Sequence, residues 1–296
     1  MKKYILKFLP VKLIKFLLTL LHVRLNFGNL SRFAVLERKI IKNTELNDEE
    51  FYQVEKFLMK VPKEFRTYVD LGAGDGINGS CTLQLTKNSE WSGLLVEIDK
   101  INLMQMSYIY RNFENFNIAN IKITPDNIDK ILNSYNIPKS FGFLNLDIDS
   151  YDYEVMEKIL VSGYSPYVVS IEINEKFPPP IEFYVKYSEN FKFPGNHFYG
   201  CSLTAAKNLL NQYDLKLSHI YGNNAFFLNS KYFDNILDDD FESYNLGYKN
   251  LPNRKKKFPY NSDIDLLLNM EKDEAVKHIN NLFTEYKNQY FINWFI

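Results

Sequence analysis

Along the 296 residues the spacing of hydrophobic and polar positions changes period repeatedly, and each change marks an element. Short apolar runs at 68–71, 93–98, 121–124, 141–147 and 167–173 read as strands. Between them, 80–87, 100–115, 126–135 and 151–160 carry apolar residues at helical spacing. This βαβα rhythm predicts a parallel sheet covered by helices on both faces. A helix precedes it, capped by Asn47 with acids in its first turn, running to about Lys60 and stopped by Pro62.

After the fifth strand the pattern breaks. Residues 174–200 are irregular, hold Pro178, Pro179 and Pro180, and are rich in aromatics. A long loop inside a compact domain is usually functional or disordered. Ser202 then caps a helix reaching about Tyr213. Residues 215–221 and 225–228, joined through Gly222, Asn223 and Asn224, read as a β-hairpin. Residues 231–296 show helical patches at 264–270 and 274–286, and a basic run at 254–257 that reads as solvated.

Composition narrows the class. Hydrophobic residues make up 46% and charged residues 24%, which excludes a disordered chain and a multi-pass membrane protein. The net charge of −1 conceals an asymmetry. Residues 1–45 hold ten Lys/Arg against two acids, a net +8, so the remainder carries −9. A basic arm on an acidic body argues against a body wrapped in nucleic acid and points to an anionic surface as the arm's partner.

In the first 23 residues Lys7, Lys12 and Lys15 interrupt the apolar run, leaving 16–21, far short of the ~20 residues a spanning helix needs. No small-residue cleavage site follows. Two readings stay open for 1–24. One is an amphipathic helix lying in an anionic leaflet at the inner face of the cytoplasmic membrane. The other is a helix docked on its own domain or on a second copy. Cys81 and Cys201 form no CxxC, so a reducing cytoplasmic setting is the default. The expected organisation is a basic arm at 1–45, an α/β domain at 46–230 and a helical extension at 231–296.

The chemistry concentrates in Asp70-Leu71-Gly72-Ala73-Gly74-Asp75-Gly76, between a strand and a helix. Glycines let the backbone turn sharply and approach a ligand closely. Glu97 ends the next strand, 27 residues after Asp70, where a carboxylate can accept hydrogen bonds from both ribose hydroxyls. Charge separates the two cofactor classes. A dinucleotide would bring a pyrophosphate against Asp70 and Asp75, which is repulsive. S-adenosylmethionine brings a sulfonium and an ammonium, which Asp70 attracts. The glycines are also spaced G-x-G-x-G, not G-x-G-x-x-G.

The run DLGAGDG followed by VEID resembles class I S-adenosylmethionine-dependent methyltransferases over about residues 65–230. That resemblance implies a Rossmann-like, seven-stranded, mostly parallel sheet ending in an antiparallel hairpin, a role 215–228 would fill. It implies cofactor contacts from Asp70, Gly72, Ala73, Gly74, Glu97 and Asp147, with Asp126 and Asn127 flanking the adenine. The segments FLNLDIDSYDYE, VVSIEIN, GCSL and GNNAFF are similar to FkbM-like methyltransferases, whose bacterial relatives are often found among surface-glycan genes. The usual pattern has Glu-Gly where Asp149-Ser150 stands here. The resemblance implies O-methylation of a small-molecule or saccharide hydroxyl. The alternatives are a non-catalytic membrane-associated protein that keeps the fold, or a nucleotide-dependent oxidoreductase.

Ligands of open α/β sheets sit beyond the carboxyl ends of the strands. That edge would carry Asp147 and Asp149, on one strand face by the two-residue alternation, and Glu172 and Asn174. The two aspartates could share a proton and serve as general base. With Glu172 and Asn174 they could instead hold Mg²⁺ or another divalent cation through oxygens. Asp149 could also merely cap the helix at 151–160. His197, in the irregular segment, is a candidate base or an exposed loop histidine. Phe177, Tyr184, Tyr187, Phe191 and Phe198 could form a sugar platform or the core of a lid.

Overall fold

A computed structural model of the protein describes residues 49–111 and 113–294. The basic arm at 1–45 and the cap at Asn47 lie outside the described residues. Helix α1 (Glu49–Leu58) leads into β1 (Thr67–Leu71), α2 (Leu83–Lys87), β2 (Ser92–Val96), α3 (Lys100–Tyr110), β3 (Phe116–Ala119), α4 (Ile128–Ser134), β4 (Ser140–Leu146), α5 (Asp152–Val161) and β5 (Ser165–Glu172). The chain continues through β6 (Ile181–Val185), α6 (Leu203–Leu210), β7 (Leu215–Tyr221) and β8 (Asn224–Asn229). Its last part holds α7 (Asp240–Tyr244), α8 (Arg254–Lys257), α9 (Lys272–Leu282) and β9 (Tyr290–Trp294).

The main sheet has seven strands in the order β3-β2-β1-β4-β5-β8-β7. All pairs from β3 to β5 are parallel, and β8 runs antiparallel to both β5 and β7. This is the Rossmann-like fold of the methyltransferase type, with its reversed strand next to the edge. The order grows outward from β1 in both directions. Right-handed crossovers then send α2 and α3 to one face and α4 and α5 to the other. The strands are apolar runs rather than alternating ones because both faces are covered. Val69, Leu71, Leu94, Val96, Leu144, Leu146, Val169 and Ile171 are all fully buried or nearly so.

Three predicted elements moved. The third strand is Phe116–Ala119, not 121–124, because the register Gly93↔Phe116 to Val96↔Ala119 pairs that stretch with β2. Helix α3 stops at Tyr110, and Asn115 adopts a positive φ of 64°, breaking the helical spacing that ran on to 115. The irregular segment after β5 contains an unpredicted strand, β6, whose antiparallel partner β9 lies in the C-terminal extension. Phe177, Phe183 and Phe198 from that segment bury themselves against Ile264, Leu267, Ile279 and Phe283 of the extension. Arg254 is not solvated: it makes paired hydrogen bonds to Asp265, 2.6 and 2.9 Å. Among the described residues no helix is long and apolar enough to cross a membrane.

Candidate active site

The strand order reverses between β1 and β4, and beyond their carboxyl ends lies a cleft of about 640 Å³. At its floor, Gly72 takes φ +90° and passes so near β4 that a Cβ there would sit 1.6 Å from the Asp147 carbonyl oxygen. No residue with a side chain fits that approach. Gly72 and Ala73 donate their N–H groups to the Val96 carbonyl (3.0 and 3.1 Å), which pins the loop to the end of β2.

Glu97 follows β2 and is buried. Its Oε2 accepts from the Gly74 N–H (2.8 Å) and its Oε1 from the Asp99 N–H (2.5 Å). Burial pushes its pKa up, and these backbone donors oppose the shift. Asp99 in turn caps α3, accepting from Ile101 and Asn102 N–H at 2.8 and 2.9 Å. Asp70 is buried beneath the loop, where Thr82 donates to its Oδ2 (2.5 Å) and Asn145 to its Oδ1 (2.9 Å). Its pKa is raised chiefly by burial.

Asp75 does not line the cleft; it accepts from Ile77 and Asn78 N–H and shapes the turn. Repulsion of a phosphate in the cleft therefore comes from residues other than Asp75. Among the described residues five carboxylates line the cleft (Asp70, Glu97, Asp99, Asp147 and Asp149) against two lysines, Lys122 and Lys192.

The wall after β3 is Ile121, Lys122 and Ile123. The predicted adenine neighbours sit elsewhere. Asp126 is exposed off the cleft. Asn127 folds its amide back on the loop, accepting from Thr124 N–H and donating to Lys122 O, both 2.8 Å. Lys122 crosses to the Glu189 carbonyl (2.5 Å), tying this wall to the segment after β6.

The β4–β5 end gathers acids. The register Leu146↔Ile171 brings Asp147 beside Glu172 on the neighbouring strand. One carboxylate oxygen from each of Asp147, Asp149 and Glu172 can be chosen so that all lie within 4.8 Å of one another. Glu172 is 6% exposed; Asn223 donates to its Oε1 (2.8 Å), and its Oε2 has no partner among the described residues. Burial, then the charges of Asp147 and Asp149, push its pKa well up. Asp149 has φ +53° and does not cap α5, whose cap position is Tyr151 without a side-chain bond. Asp152 instead braces that turn, accepting from Ile148 and Ser150 N–H, and burial raises its pKa to about 6.

Two candidates are not brought into the cleft. His197 pairs its Nε2 with Asp263 of the extension at 3.1 Å. Asn174 is fully buried and uses its amide nitrogen on the carbonyls of His197 and Tyr199 (2.9 Å each). Of the five aromatics only Phe191 lines the cleft; Phe177 and Phe198 are core, Tyr184 stacks on Tyr153 at 4.0 Å, and Tyr187 lies against Tyr151.

Sequence reasoning did not single out Thr82, Asn145 or Asn223. Asn145 had a signal, since it alternates onto the same strand face as Asp147. The other two reach the site only through the tertiary fold.

No protein-family model matches the sequence, and no curated protein does. Among solved structures the chain is similar to a SAM dependent methyltransferase from Aquifex aeolicus, with 14% identity, 65% of this chain and 98% of that one covered, and a TM-score of 0.38. It is similar at 11% identity to a TehB-like SAM-dependent methyltransferase from Corynebacterium glutamicum, covering 67% and 97% at a TM-score of 0.38. The N-terminal domain of EvdMO1, solved in the presence of SAH and D-fucose, matches at 10% identity over 62% and 82%, again at 0.38. Likeness at this level decides neither substrate nor chemistry; the fold rests on the strand order.

Proposed function

We propose that the protein is an S-adenosylmethionine-dependent methyltransferase of the FkbM-like kind, acting on a hydroxyl of a small molecule or saccharide. One observation carries the reading: the cleft at the β1/β4 switch point is acidic, and Glu97 stands in it with both oxygens oriented by backbone N–H groups. Each carboxylate oxygen has a second lone pair, so Glu97 can accept from two ribose hydroxyls while keeping its present bonds. A pyrophosphate would meet five carboxylates, Asp70 and Glu97 among them, against only Lys122 and Lys192 among the described residues of the cleft wall.

The cleft's volume falls in the usual range for small-molecule sites, about 300–1,000 Å³. The Gly72–Gly74 turn leaves backbone, without side chains at its two glycines, facing the ligand. S-adenosylmethionine, when bound, supplies an electrophilic methyl on a sulfonium. The chain's own residues do the rest. Asp70, held by Thr82 and Asn145, places negative charge under the loop. Asp147 and Asp149 stand on the acceptor side, where a carboxylate can take the proton that a hydroxyl loses as its oxygen gains the methyl. Phe191 and the 121–123 wall narrow the space, which favours an in-line approach.

Isothermal titration tests this. The wild-type protein should bind S-adenosylhomocysteine and show no measurable affinity for NAD⁺; the opposite preference would overturn it. The basic arm is proposed to hold the enzyme on an anionic surface, on the strength of its +8 charge. Deleting residues 1–24 should then release the protein from anionic vesicles, and unchanged sedimentation would refute that role.

A further inference from the structure

We infer that Asp147, Asp149 and Glu172 form a divalent-cation site with a closed protein side and an open side facing the cleft. Two independent features point there. The first is convergence: three carboxylates from two adjacent strand ends bring oxygens within 4.8 Å of one another. Opposed ligands lie about 4 Å apart across Mg²⁺ and about 5 Å apart across Ca²⁺, so one ion can span this set. The second is the orphaned oxygen. Glu172 is more than nine-tenths buried, Asn223 fixes one of its oxygens, and its Oε2 has no partner. A buried carboxylate oxygen without a donor is costly, and the neighbouring aspartates add repulsion. A cation removes both costs at once.

The lysine that acts electrostatically on Asp149 does not fill this role. Lys176 moderates Asp149, yet its Nζ donates to the Tyr199 hydroxyl (2.6 Å) and lies 3.2 Å from Glu175. That ammonium is part of a separate buried network, in which Asn261 of the extension also holds Glu175 at 2.6 Å. Asn174, included in the sequence-based ligand set, spends its amide nitrogen on two carbonyls and leaves its buried Oδ1 without a partner among the described residues. The three carboxylates whose oxygens converge define the site, and that oxygen is not excluded from it.

Burial is graded across the cluster. Glu172 is enclosed, Asp147 half-buried and Asp149 exposed, and both aspartates line the cleft. The cation's remaining coordination positions would therefore face the ligand space. Two neighbouring hydroxyl oxygens, as in a vicinal diol, can occupy them and be made more acidic. That last step rests on the methyltransferase reading; the cation site does not.

Manganese binding to the full-length protein, read by electron paramagnetic resonance, tests the site. One Mn²⁺ per chain should bind saturably and be displaced by Mg²⁺ or Ca²⁺. Glu172→Gln keeps the shape and the Asn223 contact, and should weaken Mn²⁺ by roughly tenfold or more. Asp149→Asn alters an exposed side chain, which protects the fold, and should weaken it too. No saturable binding at millimolar Mn²⁺, or equal affinity in wild type and both variants, overturns the proposal. S-adenosylhomocysteine titrated into the same samples separates the two readings. Cofactor binding without Mn²⁺ binding sinks the cation site alone; Mn²⁺ binding without cofactor binding sinks the methyltransferase reading alone.

Discussion

The two ends of the cleft treat their carboxylates differently. At the β1–β2 end both oxygens of Asp70 and of Glu97 accept hydrogen bonds from groups within the first 145 residues. At the β4–β5 end Asp147, Asp149 and Glu172 crowd one another, and Glu172 keeps an oxygen with no donor. The first end is organised before any ligand arrives. The second is an unbalanced charge arrangement that a ligand would complete. Preorganised acceptors suit recognition of a fixed group, such as a ribose; a charge deficit suits capture of a cation or of a proton.

The largest expected effect lies at the junction of the two ends. Gly72→Ala would force a Cβ into the Asp147 carbonyl, so β1 and β4 must part. A loss of about 3 kcal/mol or more is expected, seen as a fall in Tm of roughly 6–12 °C. An unchanged melting curve would show that the two ends are not wedged together there.

Next comes Glu97→Ala. Losing a charged acceptor for two hydroxyls should weaken S-adenosylhomocysteine by about 2–3 kcal/mol, or roughly 30- to 150-fold. The same contrast has a pH form. Ionised Glu97 accepts the hydroxyls, so affinity is complete above its pKa and falls as the pH drops through it. Burial raises that pKa, so the loss begins at higher pH than for an ordinary glutamate near 4.3. Titrations across pH in Glu97→Gln should lack this dependence.

The smallest effect belongs to His197→Ala. The histidine faces an exposed Asp263 away from the cleft. Turnover should stay within about twofold and stability within about 1 kcal/mol. A large drop in kcat would return His197 to the chemistry.

Legibility follows the same divide. The β1–β2 half was readable because its signals are local: a strand, a glycine turn, and a carboxylate at the end of the next strand. Asp70, Gly72 and Glu97 needed no long-range contact to be placed at the cleft. The sheet was readable for a similar reason, since buried parallel strands are apolar runs. Boundaries were less so. Residues 121–124 look like a strand, but pairing with β2 selected 116–119, and the apolar 121–123 became cleft wall.

The β4–β5 half depends on the segment after β5 and on the extension, and there local patterns failed. Sequence suggests a catalytic His197 and a platform of aromatics. Tertiary packing turned His197 to Asp263 and sank Phe177 and Phe198 into a core shared with α9. Asp126 and Asn127 stand off the cleft wall, and Asn127 spends its amide on its own turn, as an Asn can do as readily as it binds a ligand. Nothing local marks Asn223 as the partner of Glu172, 51 residues away.

The most direct test is S-adenosylhomocysteine titrated calorimetrically into wild type, Glu97→Ala and Asp149→Asn side by side. The account predicts one site in wild type, at least roughly thirtyfold weaker binding in Glu97→Ala, and affinity within about threefold of wild type in Asp149→Asn. No binding in wild type, or undiminished binding in Glu97→Ala, would contradict it.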